Sequence, residues 1–67
     1  MMNVILNGTS LNLEGKVNIE SFLEESGYEN KIVAVAINGD FVPKSAYGTH
    51  MICDNDAIEI VAPMQGG

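Results

Sequence analysis

Apolar positions recur along this chain at two different spacings. The first run, Met2-Asn3-Val4-Ile5-Leu6, is apolar and β-branched and meets Asn7-Gly8, the dipeptide that best suits a tight type I′ hairpin turn. Beyond it Leu11 and Leu13 alternate with Ser10, Asn12 and Glu14, the period of a half-buried strand, and Gly15 closes the segment. The period then changes. Ile19, Phe22 and Leu23 fall on one helical face while Glu20, Glu24 and Glu25 fall on the other. Asn18 is placed to cap this helix, Glu20 suits the positive end of its dipole, and Val17 and Phe22 have the spacing of a hydrophobic staple. Gly27 is placed to stop it, so the helix is about ten residues at most.

Strand signals then return. Ile32-Val33-Ala34-Val35-Ala36-Ile37 is the longest apolar run, and its β-branched content predicts a central strand. Asn38-Gly39 marks a second tight turn into Phe41-Val42, a short strand that Pro43 confines to a sheet edge. Ser45 to Tyr47 suits a single helical turn. Asp54-Asn55-Asp56 is a turn before a last strand, Ile58 to Val61, which Pro63 ends. Hairpin, helix and later strands are segregated, which predicts an α+β fold: a mixed sheet of four to five strands with one main helix on one face. Alternation then sets Val4, Leu6, Val33, Val35, Ile37, Ile58 and Ile60 toward the helix. It sets Ile5, Ala34, Ala36, Glu59 and Val61 on the other face. That second face is apolar enough to suggest a docking surface.

Composition narrows the chemistry. The chain has 67 residues, 46% of them hydrophobic, which suits one small domain with little room for a cofactor or a deep cleft. Three lysines against nine carboxylates give a net charge of −6. Nucleic acid is excluded as a partner because phosphate binding needs a basic stripe, whereas a basic protein partner would be favoured. Cys53 is the only cysteine, so no internal disulfide is expected; a reducing, cytoplasmic setting follows. No apolar run approaches the ~20 residues of a membrane span, and no membrane association is expected. His50 and Cys53 are three apart, but no further ligands cluster beside them, so a structural role outweighs a metal or nucleophile pair. Ser21, in Glu20-Ser21-Phe22, has the look of an acyl-carrier attachment serine, but those carriers are all-helical and the strand signals here are strong.

The chain closes on Met64-Gln65-Gly66-Gly67. Glycine is about 7% of average sequence, so a chance Gly-Gly at the end has a probability near ~0.5%. From Ala62 to Gly67 an extended chain spans roughly 20 Å, enough to carry a carboxylate into another protein's active site. The expected organisation is a folded domain over residues 1–62 and a flexible tail over 63–67.

With these residues in place the chain resembles the ubiquitin-like β-grasp proteins, and among them the ThiS-type sulfur carriers of thiamin thiazole synthesis. The resemblance covers the whole chain. It rests on Val4-Ile5-Leu6-Asn7-Gly8, on Val35-Ala36-Ile37-Asn38-Gly39 followed by Phe41-Val42-Pro43-Lys44, on the Asp54-Asn55-Asp56 turn, and on the Gly-Gly end. Asn55 stands where the family usually has glycine, and Lys44 and Tyr47 stand where arginine and tryptophan are common.

The resemblance implies a carrier rather than an enzyme. A ThiF-type, E1-like adenylyltransferase would use ATP and Mg²⁺ to activate the Gly67 carboxylate. A sulfur-donating enzyme would then convert it to a thiocarboxylate, and a ThiG-type thiazole synthase would receive the sulfur. Gly66 and Gln65 would give the tail access to a narrow channel, and Met64, Val61 and Ile5 would contact the partner, with Glu59 a candidate for a salt bridge to it. A MoaD-like carrier for molybdopterin synthesis and a non-covalent β-grasp interaction module are the alternatives.

Overall fold

Both Asn-Gly pairs form tight turns, and these turns set the sheet. The computed structural model describes residues 1–28 and 32–62; the expected tail, 63–67, lies outside the described residues. Strand β1 (Met2–Leu6) turns through Asn7 at φ 49° and Gly8 at φ 87° into β2 (Thr9–Leu13). Two successive positive φ values define the type I′ geometry, whose twist matches that of the flanking strands. Asn38 at φ 53° and Gly39 at φ 90° repeat it between β3 (Ala34–Ile37) and the short β4 (Asp40–Val42). A single 3₁₀ turn (Lys44–Ala46) follows, and β5 (Ala57–Val61) is the last element among the described residues.

The five strands form one mixed sheet in the order β2-β1-β5-β3-β4. The last strand therefore lies in the middle, parallel to β1 through Ile5↔Ala57 and Leu6↔Ile58 and antiparallel to β3 from Ala34↔Val61 to Ile37↔Ile58. β4 is an edge strand, as Pro43 requires. β3 begins two residues later than its apolar run suggests, and Ile32 is 78% exposed. Register explains this: extending the β3–β5 ladder would set Ile32 opposite Pro63, whose nitrogen carries no hydrogen to donate.

The one α-helix among the described residues, α1 (Ile19–Glu25), covers one sheet face and buries Ile19, Phe22 and Leu23. Its ends are closed by local chemistry. Asn18 Oδ1 accepts the Ser21 N–H at 2.7 Å, and Asn18 Nδ2 donates to the Gly48 carbonyl at 3.1 Å. At the other end the Gly27 N–H reaches the Glu24 carbonyl (3.2 Å) and the Tyr28 N–H the Leu23 carbonyl (2.7 Å), the paired bonds of a Schellman stop. Gly27 sits at φ 89°, where a side chain would be strained. Replacing Asn18 with alanine removes the cap and its tie to Gly48 together. We expect a loss of about 1–2 kcal/mol in urea unfolding; an unchanged midpoint would show that water replaces both bonds at no cost.

Val4, Val35, Ile37, Ile58 and Ile60 meet the helix as the alternation requires, with Leu6 and Val33 half-buried beside them. Two further core members come from the long β4–β5 connection: Tyr47 and the fully buried Ile52. Backbone bonds sew this connection to the helix entrance, Ile19 N–H to His50 O (3.1 Å) and Ile52 N–H to Val17 O (2.9 Å), around an isolated bridge between Asn18 and Met51. On the opposite face Ile5, Ala34, Glu59 and Val61 are exposed, as expected, but Ala36 is buried. Its methyl lies in register between Phe41 and Glu59, two longer side chains. No helix among the described residues is long and apolar enough to cross a membrane.

Candidate functional site

The face of the sheet that the helix leaves uncovered carries several exposed apolar side chains. Side chains alternate along each strand, so the register fixes who shares this face. β5 contributes Glu59 and Val61, β1 contributes Ile5, β3 contributes Ala34 and Ala36, and β4 contributes Phe41. Ile5 is 38% exposed, Val61 56% and Phe41 72%. These three large apolar side chains span strands β1 to β4, about 14 Å at three inter-strand spacings. Glu59 lies among them with its carboxylate in solvent. Ile5 is level with Ala57, Phe41 with Glu59, and Val61 lies at the far end of β5, so the three are separate exposed apolar side chains set around Glu59 on one face.

Sequence reasoning placed Ile5, Glu59 and Val61 on this face, and the structure brings them together. Met64, Gln65, Gly66 and Gly67 lie outside the described residues. Phe41 was missed, although the signal was available. A two-residue turn at Asn38-Gly39 forces Ile37 opposite Asp40, and hence Ala36 opposite Phe41. Once Ala36 is assigned to the outer face, Phe41 must follow it.

β5 is the strand from which the chain continues toward Gly67, and it is held at both ends by turn asparagines. At its start the Asn38 N–H donates to the Ala57 carbonyl (2.7 Å), while Asn38 Oδ1 accepts the Ala57 N–H (2.9 Å). Asn38 Nδ2 also donates to Asp56 Oδ1 (3.0 Å), and Asp56 Oδ2 accepts the Cys53 N–H (2.8 Å), so the Asp54-Asn55-Asp56 turn is braced from within. Asn55 takes the left-handed conformation, φ 70°, that the family's glycine would supply. Near the end of β5, Asn7 Oδ1 accepts the Ile60 N–H (2.9 Å) and Asn7 Nδ2 donates to the Ile60 carbonyl (3.4 Å).

Cys53 is exposed and free, with Sγ 3.9 Å from the Met51 carbonyl. Among the described residues no three His, Cys, Asp or Glu side chains are grouped so as to hold a metal ion. The described residues thus offer an adhesive face and an anchored last strand, not a set of acids, bases or nucleophiles.

One helix packed on a five-stranded mixed sheet, with the final strand central, defines a β-grasp protein. The ThiS family model matches residues 4–67, and the chain belongs to that family. It is 42% identical over 64 residues to the sulfur carrier protein ThiS of Thermus thermophilus, covering 96% of this chain and 98% of that protein. It is 38% identical over 66 residues to a thiazole synthase of Paramagnetospirillum magneticum, covering 98% of this chain but spanning only 20% of that longer relative. Among solved structures, the crystal structure of the thiamine biosynthesis protein ThiS from Geobacter metallireducens superposes with a TM-score of 0.85 at 28% identity, covering 98% of this chain and all of that one. The solution structure from the same organism gives a TM-score of 0.81 at 28% identity, over 98% of this chain and 88% of that one.

Proposed function

We propose that this chain is a sulfur carrier of thiamin biosynthesis that acts in the cytoplasm and bears its sulfur on the Gly67 carboxylate. The observation that carries the reading is the family match, which runs through the last residue, Gly67. A carboxylate is a poor electrophile, so the chemistry needs activation. A carboxylate oxygen attacks the α-phosphorus of ATP, pyrophosphate leaves, and an acyl-adenylate forms. Hydrosulfide delivered by a donor enzyme then attacks the acyl carbon, AMP leaves, the remaining S–H proton is lost, and a thiocarboxylate remains. ATP, Mg²⁺ and the groups that stabilise the leaving phosphates belong to a ThiF-type, E1-like partner. The carrier supplies a substrate carboxylate and a surface to be held by.

Ile5, Phe41 and Val61 supply that surface among the described residues, Met64 is expected to add to the contact, and Glu59 suits a basic side chain opposite. A ThiG-type thiazole synthase is the acceptor this reading favours. A relative named thiazole synthase contains a stretch 38% identical to this chain within its own length, which supports carrier and synthase working as neighbours. The thiamin carriers among its relatives favour this pathway over molybdopterin synthesis.

Intact-protein mass spectrometry tests the reading. After incubation with ATP, Mg²⁺, a ThiF-type enzyme and a sulfide source, the chain is expected to gain one sulfur in place of one oxygen, mapped to Gly67. No gain, while a control carrier loads normally, would leave a non-covalent β-grasp module as the reading. In the same assay Gly66→Val places a β-branched side chain where the tail must thread a channel, and the loading rate is expected to fall by about 100-fold, the usual cost of displacing a reacting group by about 1 Å. Loading of this variant at the normal rate would remove the steric role of Gly66.

A further inference from the structure

The final turn of the β1–β5 pairing is made by a side chain rather than by backbone. β1 pairs with β5 through Leu6↔Ile58, and the last backbone bond between them runs from the Asn7 N–H to the Ile58 carbonyl at 2.9 Å. There the chain turns away into β2, while β5 continues to Val61. Ile58 and Ile60 present their backbone polar groups to the β1 side, so Ile60 points its N–H and carbonyl at a place where no strand remains. The Asn7 side-chain amide fills that place. It accepts the Ile60 N–H and donates to the Ile60 carbonyl, as a further residue of β1 would. The partners Asn7 and Ile60 are 53 positions apart in sequence.

We propose that Asn7 is a positioning residue for the reaction at the C-terminus: by replacing the missing strand, its amide fixes the end of β5 and hence the direction in which the chain leaves at Ala62. The inference rests on the sulfur-carrier reading. β3 holds this part of β5 from one side only, through Ala34↔Val61 and Val35↔Ile60. With Asn7 in place the end of β5 is held from both sides, by β3 along Ala34↔Val61 and by the Asn7 amide on Ile60, two residues before Ala62. A tail that leaves in one direction presents its carboxylate to the partner's nucleotide more often in the reactive geometry, while the outer face that docks is untouched. Asn7 therefore acts on kcat rather than on KM.

Asn7→Gly is the informative variant, because glycine keeps the positive φ of the turn and removes only the amide. Asn38→Gly is its control. It removes the matching side-chain clamp at the other end of β5, on Ala57, at a second turn residue of positive φ. Both are assayed by ATP–pyrophosphate exchange with a ThiF-type enzyme, well below their unfolding midpoints. The expected result is a fall of about tenfold in kcat for Asn7→Gly with KM within about twofold, and unchanged kinetics for Asn38→Gly. Asn7→Asp keeps an acceptor for the Ile60 N–H but sets a second oxygen against the Ile60 carbonyl, so it is expected to follow Asn7→Gly and serves if that variant fails to fold. Unchanged kcat in the folded Asn7 variants, or an equal fall in Asn38→Gly, would make Asn7 a purely structural residue and overturn the inference. An inert wild-type chain would instead overturn the sulfur-carrier reading on which it stands.

Discussion

A chain ending at Gly66 is expected to give no detectable thiocarboxylate and to keep its urea midpoint. The truncated chain still ends in a carboxylate, so the effect is purely one of reach. Removing one extended residue withdraws the reacting oxygen by about 3.4 Å. Productive attack needs the reacting atoms within about 3–3.5 Å and in line, and an error of about 1 Å already costs about 100-fold. A retreat of a whole residue therefore takes the reaction below detection by intact mass. The fold is expected to be unaffected, because among the described residues the buried core runs from Val4 to Ile60. Loading of the shortened chain at the normal rate would show that the partner follows the carboxylate wherever it lies. A lowered midpoint would show that the tail packs against the domain.

Ile52→Ala is expected to remove a large share of the protein's stability. The side chain is fully buried among Phe22, Ile58 and the other core members, and its removal leaves a cavity that costs about 2–5 kcal/mol. A domain of this length has only about 3–10 kcal/mol in total. A thermal melt by circular dichroism should move down by more than about 10 °C. The adjacent residue supplies the contrast. Met51 is exposed on the same connection, and Met51→Ala should stay within about 0.5 kcal/mol of the parent. Equal effects at the two positions would mean that this connection carries no core weight.

The contrast between Met51 and Ile52 also marks where sequence reading stops. Asn7-Gly8, Asn38-Gly39, Asn18 and Gly27 announce their turns and caps through local chemistry, and each forms as expected. The faces of β1, β3 and β5 follow from alternation, which is why Ile5, Glu59 and Val61 were placed correctly. Ile52 has no such signature. It lies in a stretch without period, and it is held in place by backbone bonds that no local pattern encodes, its own N–H to the Val17 carbonyl and the Ile19 N–H to the carbonyl of nearby His50. The start of β3 fails for a related reason. Ile32 and Val33 have strand propensity, but the partner strand ends, and only register reveals that. Phe41 stands between these cases: its strand was legible from composition, and its face becomes legible once the turn length is used as arithmetic.

The placement of β5 has a consequence for how the chain reaches its structure. The strand that occupies the centre of the sheet is made last, and its parallel neighbour β1 was made first. Until Ala57 to Val61 emerge during synthesis, β1–β2 and β3–β4 are two separate hairpins with nothing between them, and a lone hairpin is marginal in water. Sheet closure must then join Ile5 to Ala57 across most of the chain, a non-local step of the kind that slows folding relative to helical proteins of equal size. In the proposed function the reactive carboxylate comes later in the sequence than that strand. A chain that stops before β5 lacks the strand that closes its sheet, so on the sulfur-carrier reading a prematurely ended chain is expected to be open to proteolysis rather than to persist as a folded but inert competitor for an activating enzyme.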